Sequence, residues 1–163
     1  FFKQKTAYEI PKRDWSSDVC SSDLPFDPAV LEREGFVYDT DPAARAVVVV
    51  RREGQDVALR YLAAAQRAFY AENRDVTSAP VLADLAEELG LDRQTFLDAW
   101  SSEEAKQETW RDYAVSHNAG VKGFPTLIGG PNEQGVYGVV TRGYAPAEQV
   151  LAVLRAWVAG MAA

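Results

Sequence analysis

A thiol, an imidazole and a proline-containing turn are the groups in this sequence whose types and spacing could do chemistry. Cys20 is the sole cysteine. It could be a nucleophile or half of a redox pair, but no second cysteine exists to close a disulfide within the chain, and no positioned base accompanies it to raise the thiolate. His117, the sole histidine, shares a helix face with Trp110 and Tyr113. It could move a proton, yet without a partner in the pattern it reads as a packed or surface residue. One Cys and one His do not make a zinc site, and neither metal nor cofactor is expected. Glu87–Glu88 and Glu103–Glu104 read as solvated faces and first-turn partners of a helix dipole. The informative string is Gly120–Leu127, Gly-Val-Lys-Gly-Phe-Pro-Thr-Leu. A helix ends at Gly120, a tight turn uses Gly123, and Phe124–Pro125 enters a strand. Proline cannot donate to a β-ladder, so it belongs at a strand's first residue or edge, and a cis bond there costs only about 0.5–1 kcal/mol over trans.

Caps and periodicity predict the elements that would position these groups. Pro25, Pro28, Gly35 and Pro42 punctuate the stretch up to residue 42, with a short helix over Pro28–Glu34. Asp41 is the predicted N-cap, with Pro42 at the first helical position, for an element over Ala43–Arg52. The four valines Val47–Val50 also suit a buried strand; the cap, the alanines and Gly54 after the run favour a helix. Asp56 caps the next helix, through Tyr70, with an apolar stripe of Leu59, Leu62, Ala63, Gln66, Phe69 and Tyr70. Phe69 and Tyr70 could line a substrate groove but read better as core. Ser78 caps a helix with Pro80 in its first turn, Val81, Leu82, Leu85 and Leu89 inward, and Gly90 closing it. Asp92 starts a short helix with Phe96, Leu97 and Trp100 inward. Ser101 and Glu104 form a capping-box pattern, launching a longer helix through Trp110, Tyr113 and Ala114 to Gly120. Thr126–Gly129 and Val136–Val140 are β-prone, and the turn-rich Pro131–Gly135 between them makes a hairpin. Pro146 opens a last helix with Val150, Leu151, Leu154, Trp157 and Val158 inward. Trp100, Trp110 and Trp157 all fall at core-facing spacing. Helices followed by strand, strand and helix give an α/β or α+β pattern with too few strands for a complete sheet.

Composition narrows the function. A chain of 163 residues sets a prior of one domain, and a hydrophobic share of 47% supports an ordinary core. A net charge of −7 argues against nucleic acid and against an anionic membrane surface. No apolar run approaches the ~20 residues of a membrane span. Residues 1–24 stand apart. They carry Lys3, Lys5, Lys12 and Arg13, whereas residues 25–163 carry eleven Arg and two Lys; Ala7 is their single alanine in a chain that is otherwise alanine-rich. They show neither period 2 nor period 3.6. Lys3–Ile10 and Arg13–Leu24 resemble translated short-read sequencing adapter, with Pro11 and Lys12 where a variable index would sit. Such a segment is set aside from fold reasoning. Cys20 is then an incidental thiol and Trp15 is discounted. The remainder keeps the −7 charge, with 13 basic and 20 acidic side chains.

The string Gly123–Thr126, Gly-Phe-Pro-Thr, is similar to the cis-proline loop of the DsbA family of thioredoxin-fold thiol-disulfide oxidoreductases. The helical stretch 41–119 resembles that family's helical insertion, and 120–163 its cis-proline loop and terminal ββα. Ala65–Tyr70, Leu82–Leu91 and Gly143–Val150 are further echoes, nearest to the group described as FrnE-like or as protein disulfide isomerases. The resemblance covers about residues 25–163. It implies an α/β, incomplete thioredoxin-like fold: the C-terminal ββα half with a DsbA-type helical insertion, joined to a foreign segment over 1–24.

In that family a C-x-x-C at the N-terminus of the first helix does the chemistry. The helix dipole and free N–H groups stabilise the thiolate, and the second cysteine resolves the mixed disulfide. The resemblance implies that Gly123, Phe124, Pro125 and Thr126 bind substrate, with the Phe124 backbone pairing with an extended peptide, and that the C-x-x-C unit should lie upstream of Pro25. The chain as written is therefore expected to be inactive as a dithiol oxidoreductase and to fold poorly. Its parent would act on a disulfide-containing protein or a small thiol, in the cytoplasm, without nucleic acid or membrane; oligomeric state is not legible. The alternatives are a glutathione-dependent 2-hydroxychromene-2-carboxylate isomerase or kappa-class glutathione transferase, which carry Ser in place of the first Cys, and a non-enzymatic peptide-binding module or gene fragment.

Overall fold

The four-valine run is helical. In the computed structural model, which describes residues 25–132 and 134–161, Val47–Val50 end helix α1, Asp41–Val50, and Val48, Val49 and Val50 are buried. Tertiary burial overrides the strand preference of β-branched residues. Residues 1–24, with Cys20 and Trp15, lie outside the described residues, and so does the expectation about a foreign segment. After a 3₁₀ turn at Pro28–Leu31 and α1 come α2, Gln55–Tyr70, α3, Ala79–Glu88, α4, Arg93–Ser101, and α5, Glu103–Asn118. The strands β1, Thr126–Gly129, and β2, Gly138–Arg142, precede α6, Ala147–Met161. The pattern is mostly helical α/β with one hairpin. The chain divides into two compact units, up to Trp110 and from Arg111 onward.

The first unit holds a continuous apolar core built from Val49 and Val50 of α1, Tyr61, Ala65 and Phe69 of α2, Leu82 and Leu85 of α3, Phe96 of α4 and Ala105 of α5. The stripe expected on α2 is rotated. Leu59 is 63% exposed and Leu62 is also exposed, while Ala58, Tyr61, Ala65, Ala68 and Phe69 face inward. Tyr61 can point inward because its hydroxyl donates to the Leu82 carbonyl at 2.9 Å, so burial leaves no orphaned donor; that burial pushes its phenol pKa up. Phe69 is core, with Tyr38 stacked on it at 4.9 Å between ring centroids. Trp100 is half-buried; its indole N–H donates to the Pro42 carbonyl at 3.0 Å, and the Arg45 guanidinium lies over its ring at 4.8 Å. Trp110, expected inward, is 69% exposed. The buried side of α5 is instead Ala105 and Thr109, whose hydroxyl donates back to the Ala105 carbonyl at 2.8 Å.

Three caps shift, two of them by one residue and one by two. Asp41 is the first residue of α1 rather than its cap, which is Thr40; the Asp39 carboxylate accepts the Asp41 N–H at 2.9 Å. Gly54, not Asp56, caps α2. Ser102, not Ser101, starts α5, its hydroxyl accepting the Ala105 N–H at 3.1 Å, because Ser101 still belongs to α4. Asp92 caps α4 as expected, accepting the Thr95 N–H at 2.8 Å. Glu108 ties α5 to the turn after α1, accepting from Arg52 at 2.9 Å and from Arg51 at 3.3 Å.

In the second unit β1 and β2 pair antiparallel, with Thr126 opposite Arg142, Leu127 opposite Thr141, Ile128 opposite Val139 and Gly129 opposite Gly138. A bulge leaves Val140 as the extra residue, and Val140 is buried. The second strand begins two residues later than expected, because Val136 and Tyr137 are used in closing the turn. There the Asn132 side-chain carbonyl accepts the Gln134 and Val136 N–H groups at 3.1 and 2.8 Å. On α6, Val150, Leu154 and Trp157 are half-buried while Leu151 and Val158 are exposed. Trp157 lies over the glycine pair at the turn end of the hairpin: a Cβ at Gly129 would come 2.9 Å from its ring, and one at Gly138 would come closer still.

Two outcomes follow. Gly138→Ala must push Trp157 off the sheet, costing about 1–3 kcal/mol as overpacking does, read as a lower urea midpoint; combined with Trp157→Leu it should lose less than the two single changes summed. Strict additivity would show that the ring is not the obstacle. At Glu108, partial burial would raise the pKa, but the hydrogen bonds from Arg52 and Arg51 outweigh it and hold the carboxyl below its ordinary 4.5. Its stabilising contribution is therefore complete above pH 4.5 and lost as pH falls through the lowered folded value. Glu108→Gln should cost ~0.5–1 kcal/mol at pH 7 and nothing once pH lies below that value, measured by urea unfolding across the acid range.

Candidate functional site

Backbone geometry at the end of α5 aims the chain. Gly120 takes φ +74°, its N–H donates to the His117 carbonyl at 2.9 Å, and the Val121 N–H donates to the Ser116 carbonyl at 3.1 Å. This is a Schellman closure, which needs a left-handed residue at Gly120 and turns the chain sharply out of the helix. Gly123 follows, and the Thr126 hydroxyl donates to its carbonyl at 2.7 Å, drawing residues 123–126 into a tight loop. The Phe124–Pro125 bond is cis, as is Gly130–Pro131 in the hairpin turn.

The sequence places Gly123, Phe124, Pro125 and Thr126 next to one another, and the fold presents them outward. The Phe124 side chain is 89% exposed. Among the described residues its N–H and C=O make no backbone hydrogen bond. The loop is anchored from the far end of β2, where the Gly143 N–H donates to the Pro125 carbonyl at 2.8 Å. That bond continues the hairpin one step beyond the Thr126–Arg142 pair. Gly143 takes φ +83°, so the chain bends there and leaves Tyr144 86% exposed. Phe124 itself helps to line an open depression of about 280 Å³, together with Val115, Ala119, Val121, Ile128 and Tyr137. Its lining is chiefly apolar, with Ser116 and Thr126 as the polar members.

Other candidates fall elsewhere. His117 sits exposed in the last turn of α5. Glu87 and Glu88 are solvated and paired with Arg93 and Arg74, and Glu103 is paired with Lys106. Cys20 lies outside the described residues. No cluster of three or more His, Cys, Asp or Glu suited to a metal occurs among the described residues, and no helix there is long and apolar enough to cross a membrane. Sequence reasoning used Gly143 and Tyr144 only as part of a family echo and gave them no place at the loop. The signal was the glycine at the exit of a β-prone segment.

Comparison with known proteins places this geometry in context. A family model, the DSBA-like thioredoxin domain, matches residues 23–142. A solved structure from Nitrosomonas europaea, described provisionally as a protein disulfide isomerase, superposes with a TM-score of 0.77 at 34% identity over 83% of this chain. The chain spans 66% of that protein's length. The cytosolic disulfide reductase DsbM from Pseudomonas aeruginosa, solved with GSH, gives a TM-score of 0.66 at 27% identity over 82% of this chain and 68% of its own. The same protein solved without that ligand gives 0.66 at 28%. No protein with a curated description matches.

The loop's own hydrogen bond is testable. Thr126→Val keeps the shape and removes the donor to Gly123, so the urea midpoint should fall by an amount equivalent to ~0.5–1 kcal/mol. An unchanged midpoint would mean that the bond does not hold the turn.

Proposed function

The chain belongs to the DSBA-like thioredoxin domain family, and on that premise we propose that it carries the substrate-side surface of a thiol-disulfide oxidoreductase or isomerase. One observation carries the reading. The Phe124–Pro125 loop stands at the entrance of β1, exposed, with the Phe124 N–H and C=O unpaired among the described residues. An extended peptide can add to such a backbone by β-type hydrogen bonds. Pro125 leaves no N–H to compete. In this reading residues 41–119 are the helical insertion, 120–163 are the cis-proline loop with its ββα, and Gly123, Phe124, Pro125 and Thr126 contact substrate.

The chemistry is a thiol-disulfide exchange. A thiolate attacks one sulfur of the substrate disulfide, the S–S bond breaks, the second substrate sulfur leaves as a thiolate, and a neighbouring thiol resolves the mixed disulfide. A chain with Cys20 as its single cysteine cannot complete that two-thiol cycle within itself. The part it can perform is to hold the substrate's backbone. The solved DsbM complex with GSH favours a second possibility for the partner, a small thiol such as glutathione, and its description as cytosolic supports the same compartment here.

Titrating the full chain with a short peptide bearing S-methylcysteine, followed by amide NMR shifts, tests the reading. The Gly123, Phe124, Thr126 and Gly143 amides should move together. Shifts confined to other elements would remove the loop from substrate binding. Insulin reduction by dithiothreitol should run no faster with the chain than without it; acceleration would overturn the claim that it lacks dithiol turnover.

A further inference from the structure

We infer that the outward face of α6 is an interface for a second copy of this chain, joined antiparallel about a two-fold axis that passes between Leu151 and Ala152. The inference goes beyond the reading of the Phe124–Pro125 loop and does not depend on it. Helix α6 runs over Ala147–Met161, and Glu148 and Arg155 are its only charged residues. A helix that is apolar nearly all round belongs in contact with protein on more than one side. This one packs chiefly on β2, and its half-buried residues, Val150, Leu154 and Trp157, share one side. The outward side is uncovered. Leu151 is 45% exposed and Val158 53%, and Glu148, Ala152, Arg155 and Ala159 are exposed with them.

These residues form pairs seven positions apart, Glu148 with Arg155, Leu151 with Val158 and Ala152 with Ala159, so they fall on one stripe two turns long. Seven residues span about 10.5 Å of helix, too far for Glu148 and Arg155 to pair with each other. The positions three and four away from each, where a partner in the same helix would stand, hold no opposite charge. A second copy supplies both partners. Set antiparallel, Glu148 of one copy meets Arg155 of the other, twice. Leu151 of each copy lies over Ala152 of the other, whose small side chain leaves room for it. A parallel pairing would put Glu148 against Glu148 and Arg155 against Arg155, so the charges select the antiparallel arrangement. Such a two-fold pairing uses the same patch on both copies and closes. A single helix pair is a small interface, so this dimer dissociates on dilution.

Sedimentation velocity on the full chain over a dilution series tests the pairing. The chain should pass from dimer to monomer as it is diluted. Glu148→Arg and Arg155→Glu each make both charge contacts repulsive and should raise the dissociation constant roughly five- to thirtyfold, the span that two exposed ion pairs supply. Mixed in equal amounts, the two single variants should dimerise with each other, because each then offers the charge that the other lacks. The double exchange, Glu148→Arg with Arg155→Glu, should restore self-association to near its original strength. Recovery in the mixture or in the double exchange also shows that the single variants fail by charge and not by misfolding. A chain that stays monomeric throughout the series overturns the inference. So does a dimer that both single exchanges leave intact, or one that neither mixing nor the double exchange restores.

Discussion

A two-stranded sheet has a face to hide and little of its own with which to hide it, and the Trp157 ring laid over Gly129 and Gly138 supplies that cover. Everything distinctive in the second unit depends on this contact. The paired glycines let the indole approach the backbone itself, which fixes the turn end of the hairpin against α6. With that end held, the register runs to Thr126 opposite Arg142, and one step further the Gly143 N–H meets the Pro125 carbonyl. The exposed loop is thus positioned from behind, by a ring at the opposite end of the strands. Its precision is inherited from a packing contact in which it takes no part.

The first unit solves a different problem. Its helices are rich in alanine, which fills little space, so aromatic side chains supply the bulk: Tyr61 against Phe96, and Tyr38 and Phe36 against Phe69. Two of the larger rings carry a polar atom inward and satisfy it on a backbone carbonyl, Tyr61 on Leu82 and Trp100 on Pro42. Around this core the charged side chains pair in short chains. Arg74 reaches Glu72, Asp84 and Glu88, and Arg93 reaches Asp84 and Glu87. These pairs are solvent-exposed and each adds little.

The sequence made the helices, the hairpin and the loop legible because their signals are local: a cap, a glycine in the left-handed region, a turn-rich run between β-prone segments. It misled where the signal is tertiary. The face that α2 buries could not be read from hydrophobicity, since Tyr61 is more useful inside than Leu59 once a carbonyl waits for its hydroxyl. Trp110 looked like core because it falls at core-facing helical spacing, but on α5 small Ala105 and self-bonded Thr109 take the inward positions. The cap errors, Asp41 for Thr40 and Ser101 for Ser102, come from neighbouring residues that could each play the part, where one residue of helix phase decides. In the candidate site, Gly123–Thr126 stood in the string itself, whereas the arrival of Gly143 and Tyr144 beside it is a long-range hydrogen bond that no local pattern announces.

The uneven depth of burial has a consequence for how the chain breathes. Among the described residues from Arg111 onward, Val140 alone falls in the buried hydrophobic set; all the others lie before Trp110. Resistance to local opening tracks buried apolar contact, so amide protons of the hairpin and α6 are expected to exchange with solvent through smaller, more frequent openings than those of α2 and α3. The loop at Phe124 therefore sits on the more readily yielding part of the molecule.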